Sequence, residues 1–248
     1  MDIEILPTAR ECGRVAAAKA AALLRKAIDT HGQASFVVAT GASQFDFLAA
    51  LCNEPTIDWS KTTMYHLDEY IGLPEDHPAS FRRYLRERLV DRVKPGRVHF
   101  IQGDAENPEA ECRRLNGIIS GDRIHAAFIG IGENGHLAFN DPPADFETVE
   151  PYILVKLDEE CRKQQLGEGW FPSLDAVPDR AISMSIQQIM KSQAIVCTVP
   201  DERKARAVRD CLEGDVTPRH PASILRQHER VHLFLDRNSA SLLKPSPM

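Results

Sequence analysis

The sequence has no apolar stretch approaching the ~20 residues that a membrane-spanning helix needs. Its start, MDIEILPTARE, holds two early acids and lacks the basic-then-apolar order of a secretory leader. The six cysteines (Cys12, Cys52, Cys112, Cys161, Cys197 and Cys211) form no C-x-x-C pair, so neither a zinc nor a dithiol motif is suggested. They read as reduced thiols packed as small hydrophobes, which makes the expected compartment the cytoplasm. Positive charge is scarce as well: 30 Lys and Arg stand against 36 acids, a formal net charge of −6. Nucleic-acid binding through clustered cations is thereby disfavoured, although a small anionic ligand can still find a local positive group. His66, His77, His125 and His136 fall at no metal-ligand spacing, and no metal is expected. No internal repeat and no low-complexity linker is present, so residues 1–248 read as one domain.

What is there is an ordinary core-forming composition, 43% hydrophobic and 27% charged. Thr8 followed by Glu11 makes a T-x-x-E capping box that predicts an alanine-rich helix ending at Gly32. Short apolar strands are expected at 35–40, 62–67, 97–101, 125–131, 181–185, 193–199 and 231–236. Helices are expected near 44–53, 80–90, 108–120 and 202–212. Strands alternating with helices imply an α/β fold: a single doubly wound, mostly parallel, Rossmann-like sheet with helices on both faces. The least regular stretch, 145–179, reads as a lid segment.

In such a sheet, ligands bind outside the carboxyl ends of the strands. Four informative segments fall there: Thr40–Ser43, Asp68–Tyr70, Gly132–Asp141 and Pro200–Lys204. Thr40, Gly41, Ala42 and Ser43 open a helix whose free N–H groups suit a phosphate; a plain strand-to-helix turn capped by Ser43 has the same appearance. Lys204 sits in a first helical turn, where the dipole disfavours a cation, which is compatible with a neighbouring anion or with a solvated lysine. Asp68 and Glu69 follow a strand, and adjacent acids at such a turn are ordinarily solvated. His136 ends a Gly-Glu-Asn-Gly-His tip, with Asp141 five residues on. An imidazole and a carboxylate so placed suit proton transfer, while a core histidine and a turn-initiating aspartate are the plainer alternatives. Gly130 and Gly132 form only part of a G-x-G-x-x-G pattern, which supports dinucleotide binding weakly.

LDEYIGLPEDHPASFRRYL (67–85) and GIGENGHLAFNDP (130–142) resemble two hallmark segments of the glucosamine-6-phosphate deaminases, also called isomerases. TGAS (40–43), VPDERKARAV (199–208) and HPASILRQH (220–228) extend the resemblance over most of the chain. The related 6-phosphogluconolactonases generally carry Asp-Glu-Arg in place of Asp68-Glu69-Tyr70 and lack the Phe139–Pro142 tail. The resemblance implies conversion of glucosamine 6-phosphate to fructose 6-phosphate and ammonia, in amino-sugar catabolism, without a cofactor. It makes His136 the ring-opening group, Asp141 and Asn134 its supports, and Asp68 the base that moves a proton from carbon 2 to carbon 1. It places the phosphate on Thr40, Gly41, Ala42, Ser43 and Lys204, with Gly132 and Gly135 giving the sugar a close approach to the backbone. The expected partner is a phosphorylated amino sugar, and a homo-oligomer stays open because the family includes monomers and hexamers.

Three departures stand out. Asn134 replaces an aspartate common in the family, Asp141 stands where glutamate is frequent, and Gln165 lies near the position of a phosphate-binding arginine. Arg162 and Lys163 are the nearest cations to Gln165. A lactonase-like phosphosugar hydrolase and a non-catalytic sugar-phosphate sensor are the alternative readings.

Overall fold

In the computed structural model, which describes residues 1–244, the strands are β1 (Asp2–Leu6), β2 (Ala34–Val38), β3 (Thr62–His66), β4 (Asp68–Tyr70), β5 (Arg97–His99), β6 (Ala126–Ile129), β7 (Tyr152–Lys156), β8 (Arg180–Met184), β9 (Ile195–Val199) and β10 (Val231–Asp236). The helices are α1 (Ala9–His31), α2 (Phe45–Cys52), α3 (Phe81–Leu85), α4 (Asp91–Val93), α5 (Pro108–Ile119), α6 (Glu159–Gly167), α7 (Ile186–Met190) and α8 (Ala205–Glu213). Seven strands pair wholly in parallel, in the order β1-β10-β9-β6-β2-β3-β5. This is the expected α/β sheet with helices on both faces.

Strand alternation divides the core. Phe36, Val38, Ala126, Phe128 and Val196 pack beneath α1 and α2. Their neighbours Val37, Ala127, Ile129, Ile195, Cys197 and Val199 face α5, α7 and α8. Helix α1 begins where the capping box places it, with the Thr8 hydroxyl accepting the Glu11 N–H at 3.2 Å. It ends at Gly32, whose φ of 77° is the left-handed conformation that closes helices. Small residues let α1 lie close to α2: a Cβ on Gly13 would stand 2.7 Å from the Phe47 nitrogen.

Four features differ from the sequence expectation. β1 forms a parallel edge strand on β10 and leaves Ile3 and Ile5 about half exposed, so its apolar residues carried no core signal. Residues 181–185 do not join the main sheet. They lie in β8, the centre of a second, antiparallel sheet ordered β4-β8-β7. Asp68–Tyr70 is a buried strand of that sheet rather than a solvated turn. Three residues are too few to show a period, and their partner lies far along the chain. The stretch 145–179 also contains regular structure, β7 and then α6, with the Asp158 carboxylate capping α6 at the Cys161 N–H, 2.6 Å.

Among the described residues no helix is long and apolar enough to cross a membrane, and all six cysteines are free.

Candidate active site

The segments after β2, β3, β6 and β9 meet, as expected for parallel strands, at one cleft. Thr40, Gly41 and Ser43, then Asp68, then Gly132 and His136, and finally Lys204 line it. Helix α6 closes one side with Gln164, Gln165 and Glu168.

The paired acids divide their labour because successive strand residues point to opposite faces. Glu69, fully buried, turns away from the cleft and accepts the N–H groups of Phe81 (3.1 Å) and Arg82 (2.8 Å) at the start of α3. The Ser80 hydroxyl donates to it at 3.1 Å, and the buried Arg82 guanidinium lies 3.7 Å away. Asp68 faces the cleft, 6% exposed. Burial, and then the Glu69 charge beside it, push its carboxyl up to about 8. A carboxylate tuned this way can take a proton near neutral pH.

On the opposite wall, His136 Nδ1 lies 2.9 Å from Asp141 Oδ1. The same oxygen accepts from Asn134 Nδ2 at 3.1 Å, while Asn134 Oδ1 accepts the His136 backbone N–H at 3.0 Å. The Asp158 N–H donates to Asp141 Oδ2 at 3.3 Å. Burial would raise the Asp141 carboxyl, but the hydrogen bond and charge of His136, with Asn134 and Asp158, hold it below the ordinary aspartate value. Asn134 thus braces both members of the dyad from outside the cleft. With Nδ1 engaged by the carboxylate, a neutral imidazole keeps Nε2 as its proton acceptor.

Gly132 makes room for this ring: a Cβ there would stand 2.3 Å from His136 Nε2 and Cδ2. Gly132→Ala is expected to displace His136 and break its contact with Asp141. The check is loss of the hydrogen-bonded Nδ1 proton resonance, with the fold retained by circular dichroism. Gly135 serves differently. It takes a turn conformation at φ 87°, a Cβ on it would face Cys211 and Pro221, and it is not among the residues that line the cleft.

Lys204 is 4% exposed and lines the cleft. Among the described residues no carboxylate lies within 4 Å of its ammonium; Glu133 and Glu168 act on it through space, and burial lowers its pKa. A buried, unpaired cation aimed at a cleft calls for an anion. Beside it, Gly41 adopts φ 96° and its carbonyl is held by the Tyr84 hydroxyl at 2.9 Å, which turns the loop into α2.

Residues 7–233 match the model of the glucosamine-6-phosphate isomerases/6-phosphogluconolactonase family. The chain belongs to this family. A glucosamine-6-phosphate deaminase of Lactobacillus delbrueckii subsp. bulgaricus is 35% identical over 98% of this chain and 100% of its own. Glucosamine-6-phosphate deaminase 1 of Bacillus subtilis is 38% identical over 79% of this chain and 80% of its own. The solved structure of a monomeric glucosamine-6-phosphate deaminase superposes with a TM-score of 0.89 at 33% identity, covering 98% of this chain and 100% of that one.

Within this family setting, α6 holds what sequence reasoning missed. Neither Arg162 nor Lys163 reaches the cleft. Arg162 donates to the carbonyls of Leu174 (2.6 Å) and Val177 (3.2 Å), and Lys163 pairs with Glu159 at the surface. Gln165 instead accepts the Tyr70 hydroxyl at 2.7 Å, and Gln164 accepts the Glu133 N–H at 2.9 Å. Glu168, at the end of α6, carried no motif that could have singled it out. The fold also brings the Cys161 thiol to the dyad: one ligand atom each of His136, Asp141 and Cys161 lie within 4.8 Å of one another. This is the only such metal-competent trio found among the described residues. Its spacing in sequence gives no hint of it, because α6 supplies the cysteine across the cleft.

Proposed function

We propose that this chain converts glucosamine 6-phosphate and water to fructose 6-phosphate and ammonia, without a cofactor. One observation carries the reading. A cleft-facing Asp68 with a raised pKa and an Asp141-bound His136 share a small cleft with the unpaired cation Lys204. A proton acceptor, a proton shuttle and an anion anchor are the three parts that the reaction needs.

In this reading the 6-phosphate rests on Lys204 and the Thr40–Ser43 turn, whose Ala42 N–H also faces it. His136 Nε2 takes the proton of the anomeric hydroxyl and delivers it to the ring oxygen, breaking the C1–O bond and leaving an aldehyde at carbon 1. Asp68 then removes the carbon-2 proton; the electron pair forms the C1=C2 double bond as the carbonyl oxygen gains a proton. Return of that proton from Asp68 to carbon 1 leaves an imine at carbon 2. Water adds to this imine and ammonia departs, so one water is consumed overall. A single carboxylate serves both carbons because they are adjacent in the planar intermediate. Asn134 and Asp141 hold His136 in orientation. The whole of 1–248 acts as one domain in the cytoplasm, with 145–179 as its lid.

The test is purified protein with glucosamine 6-phosphate, read for ammonia and fructose 6-phosphate. Both in equal amounts is the expected result. Hydrolysis of 6-phosphogluconolactone without ammonia release would move the protein to the lactonase side of its family. Ligand-induced thermal stabilisation without turnover of either would make it a sensor.

A further inference from the structure

The turn proposed to receive the phosphate is not empty: a carboxylate of the chain itself stands beside it. Gly41 is the glycine of the Thr40–Ser43 turn, and among the described residues, its chain neighbours aside, the only atoms within 4 Å of a Cβ placed there are Glu168 Oε1 (3.8 Å) and Oε2 (3.9 Å). Burial pushes this carboxyl up, while Lys204, the Ala42 N–H, Arg203 and the Gln164 side chain pull the other way and favour its charged form. A carboxylate therefore already stands beside the turn, in the cleft lined by Gly41, Ser43 and Lys204 that a phosphate would use.

Two further observations say that Glu168 is not there to stabilise its own helix. It is the C-terminal cap residue of α6, where the helix dipole disfavours negative charge. It is also flanked by Gly167 and by Gly169, the latter at φ 84°, so this end of the helix can swing with little steric resistance. Lys204, meanwhile, stays without an ion pair within 4 Å, so the carboxylate reaches the loop but leaves the cation incompletely matched.

We propose that Glu168 is a resident competitor for the phosphate position, a latch that holds α6 on the cleft until a phosphate dianion displaces it. The proposal rests on the sugar-phosphate reading above and names the residue that sets when its cleft opens. Carboxylate and phosphate cannot share the turn, because like charges a few ångströms apart repel strongly in a partly desolvated site. The phosphate prevails because it brings a second negative charge and more acceptor oxygens, enough to span both the Ala42 N–H and the Lys204 ammonium. The latch lowers apparent affinity by the fraction of molecules that hold it closed. It also keeps an unphosphorylated sugar from opening the cleft, since such a sugar has nothing with which to displace a carboxylate.

Inorganic phosphate is the probe, titrated into the full chain and into Glu168→Gln and Lys204→Ala variants. Binding is followed calorimetrically, and amide hydrogen exchange is followed across 159–169. Glu168→Gln, nearly isosteric, is expected to bind phosphate about tenfold or more tighter than the parent chain. In the parent, phosphate should speed exchange in α6; in Glu168→Gln, α6 should already exchange fast without it. Lys204→Ala should lose phosphate binding. Equal or weaker phosphate binding by Glu168→Gln overturns the latch, as does slowing of α6 exchange by phosphate in the parent. Failure of every form to bind phosphate overturns it too. None of these readouts needs turnover, so an absence of ammonia release would sink the deaminase reading while leaving the latch to its own result.

Discussion

Asp68→Asn is expected to stop solvent exchange of the carbon-2 proton and to cut turnover by about 10²–10⁴-fold, the range a positioned general base supplies. Sugar-phosphate binding should stay nearly unchanged, because the proposed anion contacts are Lys204 and the turn after β2, which line the cleft apart from Asp68 in sequence. Undiminished exchange would remove Asp68 from the mechanism. The parent enzyme should also show an acid limb in kcat/KM, rising with pH towards about 8, since the base acts only when ionised and burial beside Glu69 holds its carboxyl near that value.

The same shift makes a stability prediction with a definite sign. An unfolded aspartate titrates near 3.9, and the folded one near 8. Stability from this group is fully present below the unfolded value and is lost as pH rises through the folded one. Asparagine cannot ionise, so the variant escapes that loss. Its Tm advantage should grow between about pH 4 and pH 8 and level off above, reaching several degrees for a chain of this size. A Tm difference independent of pH would mean that Asp68 is not buried as an acid in solution.

His136→Gln carries the second large effect, and its signature is selective. Glutamine can occupy similar space but cannot accept and deliver a proton in turn. In the parent, Asp141 Oδ1 holds Nδ1 at 2.9 Å, and the carboxylate is itself fixed by Asn134 and the Asp158 N–H. The imidazole is therefore committed to one tautomer and one direction when neutral. A loss of about 10²–10³-fold is expected on the ring-closed sugar phosphate. On an open-chain analogue, which has no ring to open, the loss should be within about tenfold. Equal losses on both would give His136 some other task, such as polarising the carbonyl at carbon 1. Asn134→Ala should fall on the same side as His136→Gln but more mildly, because Asp141 keeps its hold on the ring.

Much of this was legible without coordinates, for reasons that differ from element to element. Thr8 and Glu11 announced α1 because capping is a contact between near neighbours. β2, β6 and β9 were visible as short apolar runs because both faces of a central parallel strand are covered. β1 was not visible, because an edge strand with exposed Ile3 and Ile5 has no buried face to display. The meeting of the Thr40, Asp68, His136 and Lys204 segments followed from topology alone, since parallel strands end on one side of their sheet. Family resemblance, resting on 67–85 and 130–142, attached roles to those residues. The metal-competent trio and the latch had no such route, since each depends on where α6 settles.

The sequence by itself thus determined the α/β class, the order of its elements, the edge of the sheet at which the cleft forms and the family. These rest on local periodicity, on caps and on short contiguous motifs, all of which are written within a few residues of one another. Only the tertiary structure decided that Asp68 faces the cleft while Glu69 caps α3, because their difference is set by pairing with β8, over a hundred residues away. It alone separated Gly132, which clears space for His136, from Gly135, which only turns the chain. It turned Arg162 and Lys163 away from the cleft and brought in Glu168. The side a side chain faces, and the pKa it acquires, depend on burial and on charges from distant segments, and neither exists until the chain has closed on itself.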